Sequence, residues 1–203
     1  MQTIAIEGTL RSEFTKSSVK DIRKENGVPC VMYGGEQVVH FHAHHNTFTK
    51  LVYTPDFKVV DITVGGTTRR AVMKGIQFHP VTDKIMHVDF IELVTGKLIK
   101  TQLPIKLVGI APGVKTGGKL LQKMRRVNVM TTPESLVDSL TVDVSSLELG
   151  KSVRVKDINT SEGIVVTTDP ATPVASVEIP RALRSALDDE EGEGEEGAET
   201  AAA

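Results

Sequence analysis

The placement of ring-bearing side chains constrains this chain more than any single motif does. All eight aromatic residues, all six histidines and the one cysteine lie at or before Phe90. A core built beyond that point must be filled by Val, Ile, Leu and Met alone. Two independently packed domains are therefore expected, residues 1–94 and residues 95–187, with the junction near residues 94–97. Each is small, so neither can bury a large core. The length of 203 residues agrees, at roughly 100–200 residues per domain.

Charge divides along the same line. The formal net charge of -2 argues, on its face, against a nucleic-acid partner. Residues 95–130, however, carry eight cations and no acid, whereas residues 188–203 carry eight acids and no cation. Without that last segment the chain has a net charge of +6, the charge a polyanion would meet. The acidic tail, DDEEGEGEEGAETAAA, holds no large apolar residue and is expected to be disordered. Its Gly192, Gly194 and Gly197 match the dinucleotide-binding spacing G-x-G-x-x-G. No strand precedes them and the interleaved glutamates would repel a pyrophosphate, so the match is accidental.

Several classes fall away at once. No apolar run approaches the ~20 residues that cross a bilayer, so no membrane association is expected. The opening MQTIAIEGTLR lacks the basic and apolar regions of a secretory signal. Cys30 cannot form an internal disulfide, which suits a cytoplasmic protein.

Periodicity predicts a sheet-dominated first domain with two helices. Strands are expected up to about Arg11, over 28–33, 37–43, 57–64, 67–78 and 85–94, with Gly65-Gly66 as a two-residue hairpin turn. Helices are expected over 18–26, capped by Ser18 with Asp21 completing a capping box and ended by Gly27, and over 46–53. In the second half, 103–110, 120–130, 140–144, 153–157, 164–168 and 174–178 read as strands, so this domain is expected to be all-β. Helical periodicity returns only from Ser185 onward.

Three enzyme-like or ligand-binding patterns compete with a plainer reading. The loop from Gly113 to Lys119 nearly matches G-x-x-x-x-G-K-[ST], whose amides cradle phosphate. Leu120 stands where a hydroxyl should be, and a strand rather than a helix follows, so a glycine-rich hairpin loop is the better reading. His40, His42 and His44 alternate and share one face of a strand, a spacing that could ligate zinc or stand on a wet sheet face. Cys30 lies in an apolar run and reads as a buried thiol. No nucleophile elbow or readable carboxylate pair is present, so no catalytic residue is assigned and no cofactor or small-molecule substrate is expected. The basic constellation is more informative. Arg11, Lys16, Lys20, Arg23 and Lys24 gather around the first helix and its preceding loop, with Lys20, Arg23 and Lys24 on one side. Cations hold phosphates, while hydroxyls, Gln77 and imidazoles can meet base edges and 2′-OH groups.

The segment Arg23-Lys-Glu-Asn-Gly-Val-Pro-Cys-Val-Met-Tyr-Gly34 resembles the signature R-x-x-G-x-[IV]-P-A-V-x-Y-G of a bacterial large-subunit ribosomal protein family, number twenty-five of its series. Gln77-Phe-His-Pro80, followed by His87-Val-Asp-Phe90, is similar to its second signature. The second domain and acidic tail resemble the family's long form, often called Ctc or general stress protein. The resemblance implies a small β-barrel with two helices, docked on the loop E region of 5S rRNA in the central protuberance of a cytoplasmic ribosome. It implies RNA contacts by Arg11, Lys16, Ser18, Lys20, Arg23 and Tyr33, and from the second signature by Gln77, His79, His87 and Asp89. Asp89 could equally orient His87 or Arg11. Lys115, Lys119, Lys123, Arg125 and Arg126 form a basic patch expected to reach 23S rRNA or neighbouring large-subunit proteins. This chain departs from the family in Thr15-Lys16-Ser17, in Lys20-Asp21 and in Cys30, where relatives carry a G-K-G loop, paired arginines and alanine.

Overall fold

Apolar and polar residues alternate through most of the first ninety positions, and the chain resolves this pattern into strands closed on themselves. The computed structural model describes residues 2–161 and 163–180. The first elements are β1 (Thr3–Leu10), α1 (Lys16–Lys24), β2 (Gly27–Tyr33), β3 (Val39–His44), α2 (His45–Val52), β4 (Val59–Val64), β5 (Thr67–Phe78) and β6 (Ile85–Glu92). The six strands form a barrel in the order β1-β3-β2-β6-β5-β4. A parallel pair closes it, with Thr3 opposite Val59 through to Gly8 opposite Val64. Closure leaves no unpaired edge along these strands.

One face of each strand fills the interior. Ile6, Val28, Cys30, Met32, Phe41, Val60, Ile62, Val88 and Phe90 are buried there, and α2 inserts Phe48 and Leu51. Phe90 sits at the centre of the aromatic contacts, 6.0 Å from the Phe41 ring and 6.4 Å from that of Phe48. Burial pushes the Cys30 thiol up and the charge of Asp89 adds to the shift, so the reactive thiolate is disfavoured.

The first helix begins earlier than its hydroxyl pattern suggests. Thr15, not Ser18, is its N-cap and accepts from the Ser18 N–H at 3.3 Å. Asp21 belongs to no capping box; its carboxylate pairs with Lys24 at 2.7 Å. Asn26, where the signature carries glycine, takes φ 56° just beyond the helix, a conformation Asn adopts more readily than most residues. Gly27 is therefore already the first residue of β2 rather than the helix stop. Gly65 and Gly66 both have positive φ, as a two-residue hairpin between β4 and β5 requires.

The later elements are β7 (Ile99–Val108), α3 (Pro112–Lys115), β8 (Lys119–Gln122), β9 (Arg126–Thr131), β10 (Leu140–Asp143), β11 (Ser152–Arg154), β12 (Ile164–Val166) and β13 (Pro173–Glu178). They form a four-stranded sheet, β10-β7-β9-β12, and a three-stranded sheet, β11-β13-β8. Their buried side chains are aliphatic, among them Leu103, Val127, Val129, Leu140, Val142, Val174 and Val177. Two expectations are corrected. The strand expected over 120–130 is two strands in different sheets, broken where the amides of Lys123 and Met124 both donate to the Val174 carbonyl. The strand expected over 153–157 ends at Arg154, and Val155–Asp157 is a 3-10 turn. A single helical turn, α3, also interrupts the otherwise β second half. The helix expected from Ser185 and the acidic tail lie outside the described residues.

The chain divides into two compact units. Among the described residues, one comprises 2–104, 126–140 and 160–167, and the other 105–125, 141–159 and 168–180. No described helix is long and apolar enough to cross a membrane.

Candidate nucleic-acid interface

Strand alternation sends half of the barrel's side chains outward, and strand order decides which of them meet. The Arg11 N–H donates to the His40 carbonyl at 3.0 Å. His40 lies opposite Val31, Val31 opposite Asp89, and Asp89 opposite Gly75. Five residues from distant parts of the sequence thus form one row across the outer wall. Beside it, His42 lies opposite both Thr9 and Pro29, and Gln77 lies opposite His87.

The centre of the row is polar and tightly arranged. His87 Nδ1 is 2.8 Å from the Asp89 carboxylate, so its Nδ1–H donates there. A Cβ on Gly75 would lie 3.2 Å from the Asp89 Oδ2, tighter than an ordinary contact. Glycine at that position leaves Asp89 its room. Tyr33 is near enough to feel the carboxylate: burial raises its phenol first, and the Asp89 charge raises it further. Arg11 Nη2 donates to the Glu13 carbonyl at 3.2 Å, while its Nε and the His42 Nδ1 are buried without a hydrogen-bond partner among the described residues. Phe14 packs on both Arg11 and His40.

Helix α1 borders this wall and buries no residue of its own. Its Ile22 packs so closely on β2 that a Cβ on Gly27 would lie 2.7 Å from Cγ2. Arg23 Nη2 donates to the Met86 carbonyl at 3.0 Å, tying the helix to the residue before His87. Lys16 and Lys20 are exposed and make no hydrogen bond or ion pair among the described residues, and Ser18 is half-buried with its N–H on Thr15. Lys24 is held by Asp21, which raises its pKa through a hydrogen bond and charge. Elsewhere on the barrel Arg70 pairs with Asp61 and Arg69 with Glu92. His79 shapes the β5–β6 turn: its Nδ1 accepts from the amides of Val81 and Thr82, and its carbonyl accepts from Asp83.

The structure thus brings Tyr33, Gln77, His87 and Asp89 onto the adjoining strands β2, β6 and β5, with Arg11 joined to His40 at the end of the row and Arg23 reaching the same wall. Lys16, Ser18 and Lys20 stay on α1, and His79 stays in the turn. The sequence does not single out Gly75, whose role depends on a register between strands, or the position of His40 in the row.

The competing patterns resolve differently. The amides of Gly113, Val114, Thr116, Gly117 and Gly118 all donate to carbonyls of their own neighbourhood, so the loop offers no converging set for a phosphate. Lys119 opens strand β8 rather than a helix, opposite Glu178. Gly118 is glycine because a Cβ would lie 2.5 Å from the Gly113 carbonyl oxygen. The phosphate-loop alternative is thereby overturned. His44 caps α2, its Nδ1 accepting from the Asn46 N–H, and His40 packs edge-on to Phe14. No three His, Cys, Asp or Glu among the described residues gather into a metal-binding group, which removes the support for the metal alternative at His40, His42 and His44. Of the cations expected to form a basic patch, Lys115, Lys119, Lys123 and Arg125 are exposed in the second unit and Arg126 is exposed in the first.

A closed, mainly β barrel with a polar outer wall and a basic helix beside it is a binding scaffold, and comparison with known proteins gives its family. Residues 6–90 match the Ribosomal L25p family, and residues 98–181 match the C-terminal domain of ribosomal protein TL5. The chain is 42% identical over 191 residues to the large ribosomal subunit protein bL25 of Bacteroides fragilis, covering 92% of this chain and 97% of that protein. To the bL25 of Amoebophilus asiaticus it is 39% identical over 194 residues, covering 96% and 98%. The chain belongs to the bL25 family of bacterial large-subunit ribosomal proteins, in its long, two-domain form.

Proposed function

We propose that this protein binds 5S rRNA at its loop E region and so anchors itself in the central protuberance of the large ribosomal subunit. It is a ribosomal structural protein, not an enzyme, associated with the ribosome in the bacterial cytoplasm. One observation carries the finer reading: the register of the barrel aligns Arg11, His40, Asp89 and Gly75 across its outer wall, with His87, Gln77 and Tyr33 alongside. A wall of this kind presents cations, a carboxylate, an amide and imidazoles within one footprint. Cations on Arg11, Lys16, Lys20 and Arg23 meet phosphates, which position the protein without reading sequence. Gln77, His87, Ser18 and Tyr33 meet base edges and ribose hydroxyls in a wide, shallow minor groove. Asp89 accepts from a base amino group while holding His87, and a carboxylate is tolerated there because it is hydrogen-bonded. His79 supports the same wall by fixing the β5–β6 turn.

The two family matches, ending at 90 and beginning at 98, support a domain junction near residues 94–97. In this reading, Lys115, Lys119, Lys123 and Arg125 of the second unit, and Arg126 of the first, contact 23S rRNA or neighbouring large-subunit proteins. Their exposure supports the assignment. The test is cosedimentation of the purified chain with large subunits from which its homologue has been removed, alongside titration with free 5S rRNA. Binding to both supports the proposal, and binding to the subunit but not to 5S rRNA refutes the anchoring site.

A further inference from the structure

Phe14 is a large apolar ring in the short connection between β1 and α1, and it is 62% exposed. Its surroundings hold it in a defined orientation. The Arg11 guanidinium carbon lies 5.7 Å from the ring centroid. The His40 ring meets it edge-on at 4.8 Å, with 68° between the planes. The loop itself is pinned, since Arg11 donates from its N–H to the His40 carbonyl and from Nη2 to the Glu13 carbonyl. A solvated loop aromatic needs no such bracing.

We propose that Phe14 is a stacking platform for an unpaired base of the bound RNA, oriented by Arg11 and His40. The inference rests on the 5S rRNA reading of the barrel wall and adds a base-stacking contact to it. Two features select a base as the occupant. Exposed residues Lys16 and Lys20 follow in the chain and favour a polyanion. The neighbours of Phe14 in the chain, Ser12, Glu13, Thr15 and Ser17, are exposed and polar, so this stretch is not a continuous apolar surface of the kind a protein partner would cover. Aromatic stacking tolerates any base, so Phe14 contributes affinity and orientation rather than sequence readout.

The test uses the full-length chain with 5S rRNA and the substitutions Phe14→Ala, Phe14→Leu and Phe14→Trp, each checked for an unchanged melting curve. Phe14→Ala and Phe14→Leu are expected to weaken binding about 5- to 150-fold, the range typical of one stacked base. The slope of affinity against salt should stay unchanged, because no phosphate contact is lost. Phe14→Trp should keep wild-type affinity. The chain has no tryptophan of its own, so its fluorescence reports the stack directly and should be quenched on RNA binding. Phe14→Leu binding like the wild type, or a tryptophan that is not quenched, overturns the proposal. Wild-type binding with an indifferent Phe14→Ala removes the stacking role alone. A wild-type chain that does not bind 5S rRNA removes the interface reading and the stacking role with it.

Discussion

Arg23 is expected to be the clamp that docks α1 on the barrel, and its removal should be measurable before any RNA is added. The helix has nine residues and buries none of them. Helices shorter than about 12–15 residues are marginal in water, so α1 depends on its contacts with the barrel. They include the half-buried Ile22 against Gly27, and the 3.0 Å hydrogen bond from Arg23 to the Met86 carbonyl. A hydrogen bond from a charged donor contributes about 1.5–3 kcal/mol where it is shielded, and an exposed one such as this falls nearer 1 kcal/mol. A loss of about 1 kcal/mol lowers the docking equilibrium roughly fivefold. Arg23→Ala should therefore raise hydrogen exchange of the α1 amides about fivefold while amides of β2 and β6 keep their protection. It should also weaken 5S rRNA binding, both by undocking the helix and by removing a cation. Arg23→Lys keeps the charge without the guanidinium and should recover only part of the affinity. Unchanged exchange in α1 of Arg23→Ala would refute the clamp, whatever happened to RNA binding.

Asp89→Asn should lower the Tyr33 pKa without returning it to normal, because burial is the larger cause of the shift; ultraviolet titration of the phenol checks this. In the wild type the folded Tyr33 holds its proton to higher pH than the unfolded chain, so its contribution to stability is complete below pH ~10 and is lost as pH rises through the folded value. Gly8→Ala should destabilise the barrel by about 1–3 kcal/mol, because the new Cβ would lie 2.6 Å from the buried Phe41 ring; a denaturant midpoint measures it. Cys30 should resist a thiol reagent in the native state and react on unfolding, since it is fully buried and its thiolate is disfavoured.

Much of the barrel was legible because its signals are local. The hairpin at Gly65-Gly66, the alternation of His40, His42 and His44, and the aromatic core up to Phe90 all follow from neighbours in sequence. What could not be read depends on partners far away. The sequence pointed to Ser18 as the cap of the first helix, and the start of α1 settles on Thr15 instead. The break at residues 123–125 has no glycine or proline to mark it, since it arises from β8 and β9 joining different sheets. The parallel β1–β4 closure has no local signature at all. The same distinction holds for the interface. The motifs named His87 and Asp89, but only strand register aligned Asp89 with Gly75 and His40. Phe14 left one trace in the sequence, a lone aromatic in a hydroxyl-rich basic loop.

The central claim is that the outer wall of the barrel binds 5S rRNA through cations and polar groups from β2, β5, β6, α1 and the connection between β1 and α1. A salt titration of the affinity for 5S rRNA, with an unrelated RNA of equal length as control, tests it most directly. With roughly five phosphates neutralised, log K should fall against log salt with a slope near -3.5 to -4.5, and 5S rRNA should be preferred at every salt concentration. A flat response, or equal affinity for the control RNA, would contradict the account.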